Sequence, residues 1–408
     1  MKIDLREATW FGRERAVGYA KMMALAFIPT LVVFYLEATG PVGSDFMAFW
    51  SASKLLLTGA PVDAYSPAAE SALQLALGRD HWVPFIYPPP FLLVVSPLGL
   101  LPYGIALPVW VVTTYVLWLS VSRRILPEGF WPIAVYPGAL VAAWHAQNGF
   151  VTASLFIGGV LALRKRPILA GVLFGALIIK PHLAVLIPVA LIASQQWRAF
   201  WAAGASAAGL LLFSWLVLGG GAFSAFLSST AISGSLLGSS NDTFYIGGDD
   251  FLLRMPTVFA MVNILAGSVA AWAAQGVASV VMAAIVWWAW ARPGDYLGKG
   301  AVLATATVLA TPYLFSYDLP LLILPACWMA AEGMRNGFRP WERLVLAAFY
   351  WAPLLGRSVA LPLHFNPTAP MLAVFLAFSV RRLSATRPAP SVLEADEPLS
   401  SSAAAAGK

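Results

Sequence analysis

Charge is scarce in this chain. Of its 408 residues only 11% are Asp, Glu, Lys or Arg, whereas a soluble domain carries about 25%. Cysteine is rarer still: the single Cys327 lies inside an apolar run, which excludes an intramolecular disulfide and a cysteine-built metal centre. The four histidines, His81, His145, His182 and His364, are dispersed, with no HExxH or other paired-ligand spacing, so a zinc enzyme has no support. No Walker or GxGxxG loop opens a helix, and nucleotide binding is not indicated. Asp249-Asp250 looks like a DxD metal site only superficially; a solvated loop is the better reading. No metal or other cofactor is expected.

What the chain has instead is apolar mass: 60% hydrophobic residues, with 17 Trp and 24 Phe, too much to hide inside one globular core. The solvent must therefore be lipid, and the fold class is an all-α polytopic membrane protein. A net charge of +6 would point to nucleic acid in a soluble protein. Here the basic residues stand in short clusters between apolar runs, the pattern of membrane topology, so the bilayer and not nucleic acid is the expected partner.

Those clusters give a topology. Lys2, Arg6, Arg13, Arg15 and Lys21 hold the N-terminus in the cytoplasm, and residues 22–38 read as a retained first span rather than a cleaved signal peptide. If every later basic cluster is cytoplasmic too, an even number of crossings separates neighbours. Hairpins then follow at 131–147 with 149–163, turning outside at "HAQNG", and at 167–180 with 181–194, breaking outside at "KPH". With 105–121, 199–219, 268–291, 299–315, 319–334, 343–358 and 367–380, this predicts about twelve spans. Parity leaves no crossing for the Pro-rich 87–104, which is expected to lie re-entrant or in-plane on the outer face, buried in protein or lining a cavity. The chain reads as one domain, 1–383, with outer loops at about 39–104 and 220–267 and a disordered cytoplasmic tail from 384.

Polar residues gather at the outer ends of these spans. Asp45 follows span 1, with Trp50 and Lys54 on the amphipathic stretch 46–58; Tyr87 opens the Pro-rich segment. His145, Gln147 and Asn148 form the first hairpin turn, and Lys180 and His182 the second. Arg254 ends the long loop, Asp318 follows "ATPYLFSY", and Arg357 ends a late span. Ionisable groups at the bilayer are costly and mark function by default. Each also has a plainer account. Asp45 fits the N-cap of a helix 46–57, and Asp318 the cap of a later one with Pro320 in its first turn. Lys180 and His182 beside Pro181 fit polar punctuation at a turn, with Lys180 snorkelling to headgroups. His81 and His364 fit loops.

The segments "SDFMAFWSASKLLLTGAPVDAYSP", "YPPPFLLVVSPLGLLPYGIALPVW", "AQNGFVTASLFIGGVLALRKRPILAGVLFGALIIKPHLAVLIPVALIASQQWRAFW" and "ATPYLFSYDLPLLIL" occur in an order that resembles glycosyltransferase family 87. These are polyprenyl-phosphate-mannose-dependent mannosyltransferases and relatives of the GT-C superfamily, and the likeness runs from about 22 to 330. The resemblance implies a GT-C-like bundle at the bacterial inner membrane, with both termini cytoplasmic and the active site on the periplasmic face. It implies inverting, metal-independent transfer of a sugar, mannose by family default, from a polyprenyl-phosphate donor to a lipid or glycan acceptor. The acid of the first outer loop, the family's general base, corresponds to Asp45, and the family's aromatic partner there appears as Phe49-Trp50. Lys180, His182, Arg254 and Arg357 become candidates to neutralise the leaving phosphate, with Gln147, Asp318, Trp50 and Tyr87 as further substrate-binding candidates. The family often has Gly-Gln at the first hairpin turn where this chain has Ala146-Gln147. The rival readings are a transporter or lipid flippase whose ionisable groups form a path, and a non-catalytic scaffold.

Overall fold

A computed structural model describes residues 4–238 and 249–384, and among these every regular element is helical. In chain order the α-helices are α1 (Arg13–Thr39), α2 (Phe46–Thr58), α3 (Pro67–Ala76), α4 (Pro89–Val95), α5 (Tyr103–Ser122), α6 (Phe130–Ala134), α7 (Pro137–His145), α8 (Gly149–Ala162) and α9 (Pro167–Gly175). There follow α10 (Ile187–Ala193), α11 (Trp197–Gly238), α12 (Asp249–Leu253), α13 (Val258–Trp290), α14 (Tyr296–Ala310), α15 (Ile323–Asn336), α16 (Glu342–Leu363) and α17 (Thr368–Ser384). Short 3₁₀ turns join several of them, notably 96–100, 176–179 and 316–322.

The starts obey local chemistry. Ser66 accepts from the Ala69 amide ahead of Pro67 at the first position of α3. Thr257 caps α13 through the Ala260 amide, and Asp295 caps α14 through the amides of Leu297 and Gly298.

Among the described residues, four helices are long and apolar enough to cross a bilayer: α1, α5, the Trp197–Thr230 part of α11, and α13. Shorter apolar helices lie at 149–162, 167–179, 181–193 and 296–310. The first predicted hairpin arm, 131–147, is broken at Val135-Tyr136 into α6 and α7, because Pro137 cannot supply an amide to a continuing helix. The expected outer loop over 220–267 is largely helical where it is described. Residues 220–238 continue α11 past a kink at Gly219 (φ 78°, ψ 165°), and 258–267 belong to α13, which kinks at Gly267 (φ 80°, ψ 173°). Only glycine takes that backbone state without strain, so one residue redirects each helix without ending it. Residues 239–248 of that predicted loop, and the predicted tail from 385, lie outside the described residues.

The interior has two large apolar cores. One packs α2 and α4 with the start of α5; the other is built mainly on α8, α9, α14 and α15. The turn between α7 and α8 sits on the seam, with Ala146 in the first core and Phe150 in the second. The stretch 46–58, expected to be amphipathic, is helix α2, but its residues Phe46 to Ser53 are all buried. Gly99 explains how 87–104 lies against it, since a Cβ there would come within 2.7 Å of the Ser53 backbone.

Candidate active site

The turn 145–149 organises the polar cluster. Helix α7 ends at His145 because Ala146 takes the left-handed conformation, φ 47° and ψ 36°. Its carbonyl is held by the Trp110 indole at 3.0 Å. A left-handed residue is where glycine is favoured, which gives the Ala-for-Gly departure a physical meaning. Helix α8 then begins at Gly149, where a Cβ would lie 2.0 Å from the Tyr317 carbonyl. The turn can therefore press directly onto the 313–318 segment.

Three side chains of this turn each reach a different part of the chain. The Nδ1 of His145 lies 3.0 Å from Oδ2 of Asp45, at the start of α2. The Oε1 of Gln147 accepts the Tyr87 hydroxyl at 2.7 Å, and Oδ1 of Asn148 accepts Nζ of Lys180 at 3.1 Å. Lys180 sits at the break between the 176–179 turn and Pro181 and donates at 2.5 Å to Oδ1 of Asp318. The Lys180 ammonium also lies over the rings of Tyr317, at 4.9 Å, and Tyr87, at 5.9 Å. Tyr317 completes the link, its ring 5.5 Å from that of His145. Asp45 is close enough for its charge to act on Lys180, Tyr87 and Tyr317.

Exposure separates the two acids. The side chains of Asp45 and His145 are 21% and 13% exposed, while those of Asp318 and Lys180 are 0% and 6%. A dissolved or lipid-borne hydroxyl can approach Asp45; Asp318 is sealed behind its lysine. The N-cap account of Asp45 is corrected here. Asp45 does occupy the N-cap position of α2, yet its side chain makes no capping hydrogen bond, and His145 is what orients it. Asp318 serves the helix start foreseen for it, its Oδ2 accepting the Phe315 amide at 3.4 Å, while its Oδ1 takes Lys180, a pairing the sequence did not indicate.

The other candidates fall into place unevenly. His182 packs edge-on to Tyr313 at 6.2 Å, with its Nε2 buried and without a hydrogen-bond partner. Arg254 is half-buried; its carbonyl accepts the Ser316 hydroxyl at 3.0 Å, and its guanidinium makes no ion pair among the described residues. Trp50 is not brought to the cluster. Its indole donates to the Leu101 carbonyl at 2.8 Å, and Phe49 is the aromatic that touches Tyr87, at 5.2 Å. Lys54 reaches the Gly99 carbonyl at 3.4 Å instead of facing the site. The Arg357 side chain and those of Asp249-Asp250 lie outside what is described.

Two residues not foreseen in the sequence support Asp45. Arg79 is buried, donates to the carbonyls of Ala38 (3.3 Å) and Gly40, and covers the Tyr103 ring at 4.7 Å. The Tyr103 hydroxyl in turn pairs with Ser44, the neighbour of Asp45, at 3.1 Å. Tyr317, three residues beyond Leu314 in an aromatic run, is the other. No local pattern marks either residue, because each acts through chain segments far away in sequence.

Apolar membrane-length helices around a buried polar cluster define an integral-membrane protein with a built site. Residues 85–312 match the model of glycosyltransferase family 87, more than half of the chain, and the chain belongs to that family. It is therefore a membrane glycosyltransferase, working on a sugar donor and an acceptor. The matched region contains Tyr87, the 145–149 turn, Lys180, His182 and Arg254, while Asp45 and Asp318 flank it. No curated protein and no solved structure matches the chain.

Proposed function

We propose that this glycosyltransferase moves a sugar, mannose by family default, from a polyprenyl-phosphate donor to a hydroxyl of a lipid or glycan acceptor. The reaction inverts the anomeric centre, needs no metal, and runs on the periplasmic face of the bacterial inner membrane. The observation that carries this reading is the partly exposed Asp45 carboxylate held by His145 at 3.0 Å beside the sealed Lys180–Asp318 pair.

In this mechanism the acceptor hydroxyl attacks the anomeric carbon while Asp45 takes its proton, a general-base contribution of about 10²–10⁴-fold. The new glycosidic C–O bond forms as the sugar–phosphate C–O bond breaks, and the bonding pair leaves with polyprenyl phosphate. That leaving group departs as a stable anion and requires neighbouring positive charge more than an acid. Arg254, with no ion pair among the described residues, suits this role better than Lys180, whose charge is already matched by Asp318. His182 and Arg357 remain in the binding set, as do Gln147 and Tyr87. His145 acts as a positioning residue: its donated hydrogen bond fixes the carboxylate.

Reconstitution in liposomes with a radiolabelled polyprenyl-phosphate sugar and candidate acceptors tests this. Asp45→Asn should lower label transfer by about 10²-fold or more while leaving thermal unfolding unchanged. His364→Ala, at an exposed helix end, should transfer normally. Normal transfer in Asp45→Asn would sink the general-base role, and sugar-independent solute uptake would favour the transporter reading.

A further inference from the structure

The end of the bundle opposite Asp45 carries a second unassigned feature. Helix α1 runs about 40 Å from Arg13 to Thr39 at 1.5 Å per residue, so its N-terminal end lies far from the site. There α1 stands off from the bundle and leaves a groove of about 800 Å³ against α15 and α16. Its walls are mostly apolar, with small residues such as Ala20 and Ala330 beside larger ones such as Met23, Phe338, Leu346 and Trp351. The charged members of the lining are Arg13 and Arg343 against one acid, Glu128. A groove of this size is within the range of small-molecule sites, about 300–1,000 Å³.

Its polar end has a donor in want of an acceptor. Arg343 donates through Nη1 to the Phe11 carbonyl at 3.2 Å and lies over the Phe338 ring at 4.8 Å, but its buried Nε has no partner. Buried donors of this kind cost free energy until an acceptor arrives. Further basic residues, Arg6, Arg15 and Lys21, belong to the same end of α1.

We propose that the groove holds an anionic phospholipid, its acyl chains along α1 and α15 and its phosphate on Arg13 and Arg343. A lipid fits the lining at both ends: the apolar wall accepts methylenes, and the arginine end accepts a phosphate through charge-assisted hydrogen bonds. The single acid, Glu128, repels a headgroup placed at its side of the rim. With the basic end of α1 cytoplasmic, the lipid belongs to the inner leaflet, and it fills the space that α1 itself leaves open. The site is separate from sugar transfer and does not depend on it.

The test is native mass spectrometry of the full chain exchanged into vesicles of equal phosphatidylglycerol and phosphatidylcholine. One phosphatidylglycerol should be retained per protein. Arg13→Gln with Arg343→Gln should lower that retention at least about tenfold relative to phosphatidylcholine, and Ala330→Trp, which fills the groove, should expel both lipids. Equal retention of the two lipids in the unaltered protein, or no retained lipid, overturns the proposal. Should the double variant fail to fold, a photoactivatable phosphatidylglycerol on the unaltered protein decides: adducts on α1, α15 and α16 support the site. Adducts elsewhere, or cross-links from the C-terminal residues 385–408 into the groove, overturn it.

Discussion

Asp45 and Asp318 stand on the two sides of one turn and do different work because solvent reaches only one of them. The sequence singled out both, along with Gln147 and Lys180, since a polar side chain at the end of an apolar run is conspicuous. Among them only the family resemblance set Asp45 apart; the pattern of polar residues did not, because that needs burial, which is set by contacts between distant segments. The Lys180–Asp318 pair illustrates this: separated by 138 positions, the two meet at 2.5 Å with no water between them. Removing one partner leaves an uncompensated buried charge, so Lys180→Met should destabilise the protein by about 3–5 kcal/mol. Adding Asp318→Asn should recover part of that loss, both read by thermal unfolding in detergent. An unchanged melting temperature in Lys180→Met would mean that the ion pair is not holding the turn.

At the scale of elements, the segment between α1 and α5 is a built support. Helix α3 buries Glu70, whose carboxylate accepts the Phe85 amide at 3.1 Å and the Trp82 indole at 3.0 Å. Burial outweighs those bonds and pushes the Glu70 carboxyl up to about 8. The folded state therefore binds a proton that the unfolded chain has lost, and stability falls as pH rises between about 4.5 and 8. Glu70→Gln keeps the shape without the titration. Its thermal stability should lack that part of the decline over the same pH range, and an identical pH profile in variant and parent would refute the assignment. Element boundaries were the least legible part of the sequence. Gly219 and Gly267 read as loop signals, yet each bends a helix that then continues. Composition cannot distinguish a turn from a kink when the flanking residues are apolar on both sides.

For the whole molecule, the orientation derived from basic clusters has a direct check. Cys327 is buried, so introduced cysteines can be read against a low background. Cysteines at the exposed positions Val42 and Pro181 should react with an impermeant reagent added outside whole cells, and those at Arg124, Lys165 and Asn336 only after permeabilisation. Outside labelling at 124 would make 87–104 a full span and overturn the parity argument.

Alone, the sequence determined the solvent, the helical class, and where polar residues stand at the ends of apolar runs, because hydrophobicity and charge spacing are local properties. Its ordered segments also gave the family resemblance. Only the tertiary structure decided that His145 and not the helix start orients Asp45, that Lys180 belongs to Asp318, and that Tyr317 and Arg79 brace the site. Those pairings join positions tens to hundreds of residues apart, and geometry at that range is fixed by how the helices pack, which no local pattern in the chain encodes.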